Sequence, residues 1–181
     1  MSPRAESRGE IDCGIVKLRE WRRGDEDELV AIADNPNVAR FLRDGFPSPY
    51  TYNDATDWIF LNETMDPRSY FAIVLDERIA GGIGLTPFDA ERAGVAEIGY
   101  WIGEPYWGRG IATAAARGLT AFGFERLALR RIEAPIYAPN KASMRVLEKC
   151  GYVCEGIMRD AVIKNGQLLD AHLYARLYDQ L

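Results

Sequence analysis

Tyr106-Trp107-Gly108-Arg109-Gly110-Ile111-Ala112 is the stretch on which the fold turns. It joins a strand-like run, VAEIGYWI at 95–102, to a helical run, GRGIATAAARGLTAFGF at 108–124. Glycines at 108 and 110 let the backbone come close to a ligand, and the first turn of the following helix offers N–H groups with no internal partner. Together with the helix dipole, those donors form an anion site suited to a pyrophosphate. Two phosphate motifs are excluded. No Gly-Lys-Ser/Thr closes the loop as a Walker A sequence requires, and GRGIAT places Thr113 where a dinucleotide fingerprint needs its third glycine or alanine. On these residues alone, a tight strand–helix turn without a ligand explains the segment equally well.

Residues 15–20 alternate as a first strand, and DEDELVAIAD at 25–34 carries Leu29, Ile32 and Ala33 at helical spacing until Pro36 ends it. A second helix starts near Asn53, capped by Asn53 or Thr51, with Ala55, Trp58, Ile59 and Asn62 along it. SYFAIVL and IAGGIGL, joined by Asp76-Glu77-Arg78, read as an antiparallel hairpin. After the central strand and helix come a fifth strand, RRIEAPIY, and a compact helix, NKASMRVLEKCG, with Asn140 as N-cap and Gly151 just past its end. Two last strands, 152–163 and 168–177, meet at Asn165-Gly166, the favoured type I′ turn. The order β-α-α-β-β-β-α-β-α-β-β predicts one mixed α/β domain over 14–181, with residues 1–13 as a flexible polar arm.

The 181 residues carry a formal charge of −5, are 48% hydrophobic and 27% charged, and suit one soluble globule. Nucleic-acid binding rests on clustered Lys and Arg, which this balance does not supply. No run approaches the ~20 apolar residues of a membrane span, and the first dozen residues have no hydrophobic segment of a secretory signal. Cys13, Cys150 and Cys154 form no CxxC pair, and His172 is the sole histidine. The expectation is a reduced, cytoplasmic protein without a metal site.

Several segments in order resemble one family. Gly110 and Ala112 fit the Gln/Arg-x-x-Gly-x-Gly/Ala turn of the GNAT N-acetyltransferases, with Trp107 where Gln or Arg is usual. Tyr-Trp-Gly-x-Gly is similar to the Rim-type branch, the ribosomal-protein N-terminal acetyltransferases and their relatives. That branch is also resembled by Leu18-Arg19-Glu20, by Pro49-Tyr50-Thr51 with Trp58-Ile59, by Glu97 to Ile102, and by Asn140 to Ser143 with Glu148 to Tyr152.

The resemblance implies a central, mostly antiparallel sheet of about seven strands with about four helices, splayed between the fourth and fifth strands. It implies acetyl-CoA as co-substrate, an amine acceptor (a protein N-terminus or a small amine such as a polyamine or aminoglycoside) and, by analogy, a homodimer. A CoA-binding module without catalysis is the alternative from another class. The pantetheine arm would pair with the strand edge at Tyr100, Trp101 and Ile102, one of whose N–H groups near 101–102 would face an oxyanion. Trp107, Gly108, Arg109, Gly110, Ile111 and Ala112 would hold the pyrophosphate, and Asn140 would contact the arm as well as cap its helix.

Glu97 is the candidate general base, or else a strand-end carboxylate in an ion pair. Strand alternation puts Val95, Glu97, Gly99 and Trp101 on one face and Ala96, Ile98, Tyr100 and Ile102 on the core face. The family's usual acid, a tyrosine, is replaced by Leu147, and Ser143, one turn earlier on the same helix face, is the candidate proton donor to the thiol. Ser143 could equally bond its own helix backbone. Phe46, Tyr50, Tyr52 and Trp58 either line the acceptor side or pack as core. Arg117 and Arg145 either reach CoA phosphates or lie on solvated faces. His172 is read as a packed or surface residue.

Overall fold

A computed structural model describes residues 9–178. Eight strands form one sheet in the order β1-β2-β3-β4-β5-β6-β8-β7. They are β1 (Ile11–Asp12), β2 (Lys17–Glu20), β3 (Tyr70–Leu75), β4 (Arg78–Pro87), β5 (Val95–Ile102), β6 (Arg131–Tyr137), β7 (Val153–Lys164) and β8 (Gln167–Leu177). All neighbours are antiparallel except β5 and β6. The helices are α1 (Glu26–Ala33), α2 (Pro36–Ala39), α3 (Tyr52–Thr64), α4 (Ile111–Arg126) and α5 (Lys141–Lys149).

Local chemistry places the elements. Asp76 and Glu77 both adopt positive φ in the β3–β4 turn, as do Asn165 and Gly166 between β7 and β8, which gives both hairpins the twist-compatible turn. Thr51 caps α3 in a full capping box with Asp54. Asn140 Oδ1 accepts from Ser143 N at 3.2 Å to cap α5. Pro36 does not simply end a helix: α1 stops at Ala33, and Pro36 is the first residue of α2, capped by Asn35. Of the arm expected over 1–13, Ile11–Asp12 is strand paired to Leu18 and Lys17, which supplies the eighth strand; residues 1–8 lie outside the described residues.

The sheet separates two apolar layers. On one side α4 and α5 pack through Ile111, Ala115, Leu119, Met144 and Leu147 against Leu18, Leu85, Ile98 and Ile132. Gly123 lets α4 sit close, since a Cβ there would come within 2.9 Å of Leu85 Cδ1. On the other side α1 and α3 bury Leu29, Ala33, Ala55 and Ile59 against Trp21, Ala72 and Ile79. Each fully buried leucine or isoleucine contributes roughly 1.5–3 kcal/mol over its exposed state.

Candidate active site

β5 and β6 pair in parallel over Val95 to Glu97 with Arg131 to Glu133 and no further, while β6 continues along β8 to Tyr137. The two strands therefore splay beyond Glu97, opening the V expected between the fourth and fifth main strands. Pro135 lies two residues past the last pair and has no N–H to offer a ladder.

Two cavities meet at this opening. One, of about 940 Å³, extends over the α1/α3 face of β5. The other, of about 480 Å³, runs to the β5–α4 turn. Their shared wall consists of Phe41, Leu42, Tyr100, Trp101, Asn140 and Ser143.

The smaller cavity ends on the turn identified from sequence. Gly108 and Gly110 have φ of 74° and 77°, and Gly110 is the N-cap of α4 without a side-chain cap. Among the described residues, the N–H groups of Gly108 to Thr113 donate to no acceptor. Trp107 differs from the rest of the set. Its backbone N–H donates to Glu104 O at 3.2 Å and its indole Nε1 to Ile102 O at 2.7 Å, so it braces the end of β5. Arg145 lines this cavity. Arg117 instead donates to Lys149 O at 3.1 Å, at the C-terminal end of α5.

In the larger cavity Glu97 meets Arg43, whose Nη2 lies 2.5 Å from its Oε1; the carboxylate side chain is 20% exposed and Arg43 69%. The next residue, Asp44, pairs with Lys164 Nζ at 2.7 Å. Neighbouring residues of one loop thus pair with both β5 and β7. The ion-pair reading of Glu97 is present in this structure, and the carboxylate still lines the chamber. Phe46 stacks at 5.1 Å from Tyr50 and 5.5 Å from Trp101, Trp58 lies edge-on to Tyr70 at 5.5 Å, and Phe46, Tyr50 and Trp58 all line the chamber. Burial beside Asp54 raises the Tyr50 phenol to about 12. Tyr52 is exposed, and it and His172 line neither cavity.

Ser143 does not bond its own helix backbone through its hydroxyl. Its Oγ lies 2.7 Å from Tyr100 Oη. Tyr100 packs against the α4/α5 layer, as strand alternation requires, but its phenol reaches the cleft. Burial raises the phenol well above its ordinary value, which keeps it protonated and able to donate. Sequence reasoning took Tyr100 as a backbone contact and missed its hydroxyl contact with Ser143, as it missed Arg43, which has no motif around it. Leu147 is fully buried in the core. Among the described residues no group of three or more His, Cys, Asp or Glu could hold a metal, and no helix is long and apolar enough to cross a membrane.

The family profile described as Acetyltransferase (GNAT) domain matches residues 16–153. An uncharacterized N-acetyltransferase, p20 of Bacillus licheniformis, is 31% identical over 90% of this chain and 92% of its own. The ribosomal-protein-serine acetyltransferase of Escherichia coli is 30% identical over 65% of this chain and 67% of its own. In fold, RimJ of Mycobacterium smegmatis, solved with a CoA disulfide, superposes with a TM-score of 0.82 at 24% identity, over 96% of this chain and 88% of that one. A match across most of the chain, taking in the splayed strands and the glycine turn, makes this an enzyme of the GNAT acetyltransferase family, in its Rim-type branch.

Proposed function

We propose that the chain moves the acetyl group of acetyl-CoA to an amine seated in the larger cavity, with a protein N-terminal α-amine as the acceptor class. The observation that carries this reading is the meeting of the two cavities at Tyr100 and Ser143. One arm of the site holds free backbone donors for a pyrophosphate, and the other holds a carboxylate among aromatic rings.

The residues divide the work by position. The N–H groups of Gly108 to Ala112 and the α4 dipole hold the pyrophosphate, and Asn140 and the free edge of β5 at Tyr100 to Ile102 hold the pantetheine arm. The amine nitrogen forms the new bond to the acetyl carbon as the carbon–sulfur bond breaks. Glu97, once released from Arg43, takes the proton lost by the nitrogen, directly or through a water. Ser143 gives its hydroxyl proton to the departing sulfur and is re-protonated from Tyr100 Oη, which later regains a proton from solvent. An α-amine suits a site with one base. Near pH 7 about a tenth of it is already neutral, against well under 0.1% of a lysine. The name of the Escherichia coli relative supports a ribosomal or other protein N-terminus.

The test is an acceptor panel of peptides with free N-termini, a polyamine and an aminoglycoside, with mass spectrometry locating the added acetyl group. Acetyl on a peptide α-amine is the expected result. Acetyl on the small amines alone replaces the acceptor class, and acetyl-CoA binding without transfer to any of them removes the catalytic reading.

A further inference from the structure

The floor of the larger cavity is laid out by rows of sheet partners. One row runs Ala72–Gly82–Trp101, the next Tyr70–Gly84–Gly99, and the next pairs Thr86 with Glu97. Residues two apart on a strand share a face, so all three rows face the chamber. Two of the three glycines are explained by rings that occupy the space a Cβ would need. A Cβ at Gly84 would come within 2.1 Å of the Tyr70 ring, and one at Gly82 within 2.8 Å of the Trp101 indole. Gly99 has no such reason. A Cβ there would meet nothing within 4 Å, and its φ is not in the left-handed region. Neither packing nor backbone requires glycine at 99, although glycine weakens a strand interior.

What lies over Gly99 is empty space bounded by Glu97 on one side and Trp101 on the other, just beyond the last β5–β6 pair. Tyr70 Oη and Thr86 Oγ1, 2.5 Å apart, form the polar flank of the same floor. Resting on the acetyl-transfer reading above, we propose that Gly99 is the specificity-determining position for the acceptor. The gap over Gly99 seats the group next to the reacting amine, the first side chain of an N-terminal acceptor, while the amine itself lies toward Glu97. The missing side chain at 99 sets the size limit of that group.

The experiment compares wild type with Gly99→Ala and Gly99→Val on peptides that differ in the first residue alone: glycine, alanine, serine and leucine. Both variants should melt within a few degrees of wild type, and the KM for acetyl-CoA should stay within about twofold. kcat/KM for the glycine-first peptide should fall by no more than about threefold. The loss should grow with the first side chain, reaching at least tenfold for the largest one that wild type accepts, and more steeply for Gly99→Val. A uniform loss across peptides, or a raised KM for acetyl-CoA, would assign Gly99 to the thioester and overturn the proposal. Failure of both variants to fold would overturn it too, since the space would not be open. If wild type acetylates none of the peptides, the proposed function itself fails and this assignment falls with it.

Discussion

Tyr100 Oη and Ser143 Oγ lie 2.7 Å apart across the gap between β5 and α5, on the wall that both cavities share. If they act as one proton-donating unit, their losses will not add. Ser143→Ala and Tyr100→Phe should each lower kcat by roughly 10²-fold, the double variant should be no worse than the weaker single, and acetyl-CoA affinity should hold. Steady-state kinetics of the four proteins, with calorimetry for acetyl-CoA, measures this. Multiplying losses would mean independent roles.

Glu97→Gln keeps the shape of the side chain and removes the proposed base. The expected loss in kcat is about 10²–10⁴-fold with an unchanged KM for acetyl-CoA. The deficit should shrink as pH rises and more acceptor becomes neutral without help. A pH–rate profile of both proteins reads this, and a variant with near wild-type kcat would leave Glu97 only its ion pair.

Arg43 holds the carboxylate that a cationic acceptor would meet on arrival. An exposed pair of this kind is worth up to ~1 kcal/mol. Arg43→Gln should therefore lower the acceptor KM by up to about fivefold and make it less dependent on salt. A rise in acceptor KM would show that Arg43 binds the acceptor instead of competing with it.

Burial raises the phenols of Tyr50, Tyr100 and Tyr152, with Tyr50 reaching about 12. Their folded values exceed the unfolded ~10, so the native state holds more protons above that pH. The stability they contribute is complete below pH ~10 and is lost as pH climbs toward the folded values. Thermal melts across alkaline pH should fall steeply beyond ~10, with tyrosinate absorbance from these residues appearing only on unfolding. Flat melting temperatures through that range would contradict the assigned burial.

Leu119 is fully buried between α4 and the sheet. Leu119→Ala should cost about 2–5 kcal/mol in urea unfolding, with the slope unchanged. A cost under ~1 kcal/mol would mean the layer repacks around the loss.

What the sequence made legible was local. The β5 alternation, the Asn165-Gly166 turn and the glycine conformations at 108 and 110 each depend on a few adjacent residues and stand in the structure as read, while of the two caps offered for α3 the structure uses Thr51 and places Asn53 inside the helix. What stayed hidden depends on distant pairing. Ile11–Asp12 is too short for a period to register and becomes strand only beside Lys17 and Leu18. Pro36 carries two meanings, helix stop and helix start, and Asn35 decides between them by capping. Tyr100 with Ser143 and Arg43 with Glu97 join residues 43 and 54 positions apart, which no spacing rule connects. Gly99 read as one more strand residue until its empty Cβ position was set beside the occupied ones at Gly82 and Gly84.

Acetyl transfer is measured most directly by the time course of free thiol release from acetyl-CoA with a peptide bearing a free N-terminus, beside the same peptide with that amine blocked. Acetyl transfer to an α-amine predicts release that needs the free amine and matches, mole for mole, the acetylated peptide formed. Equal release with the blocked peptide, or none with either while acetyl-CoA binds, would contradict it.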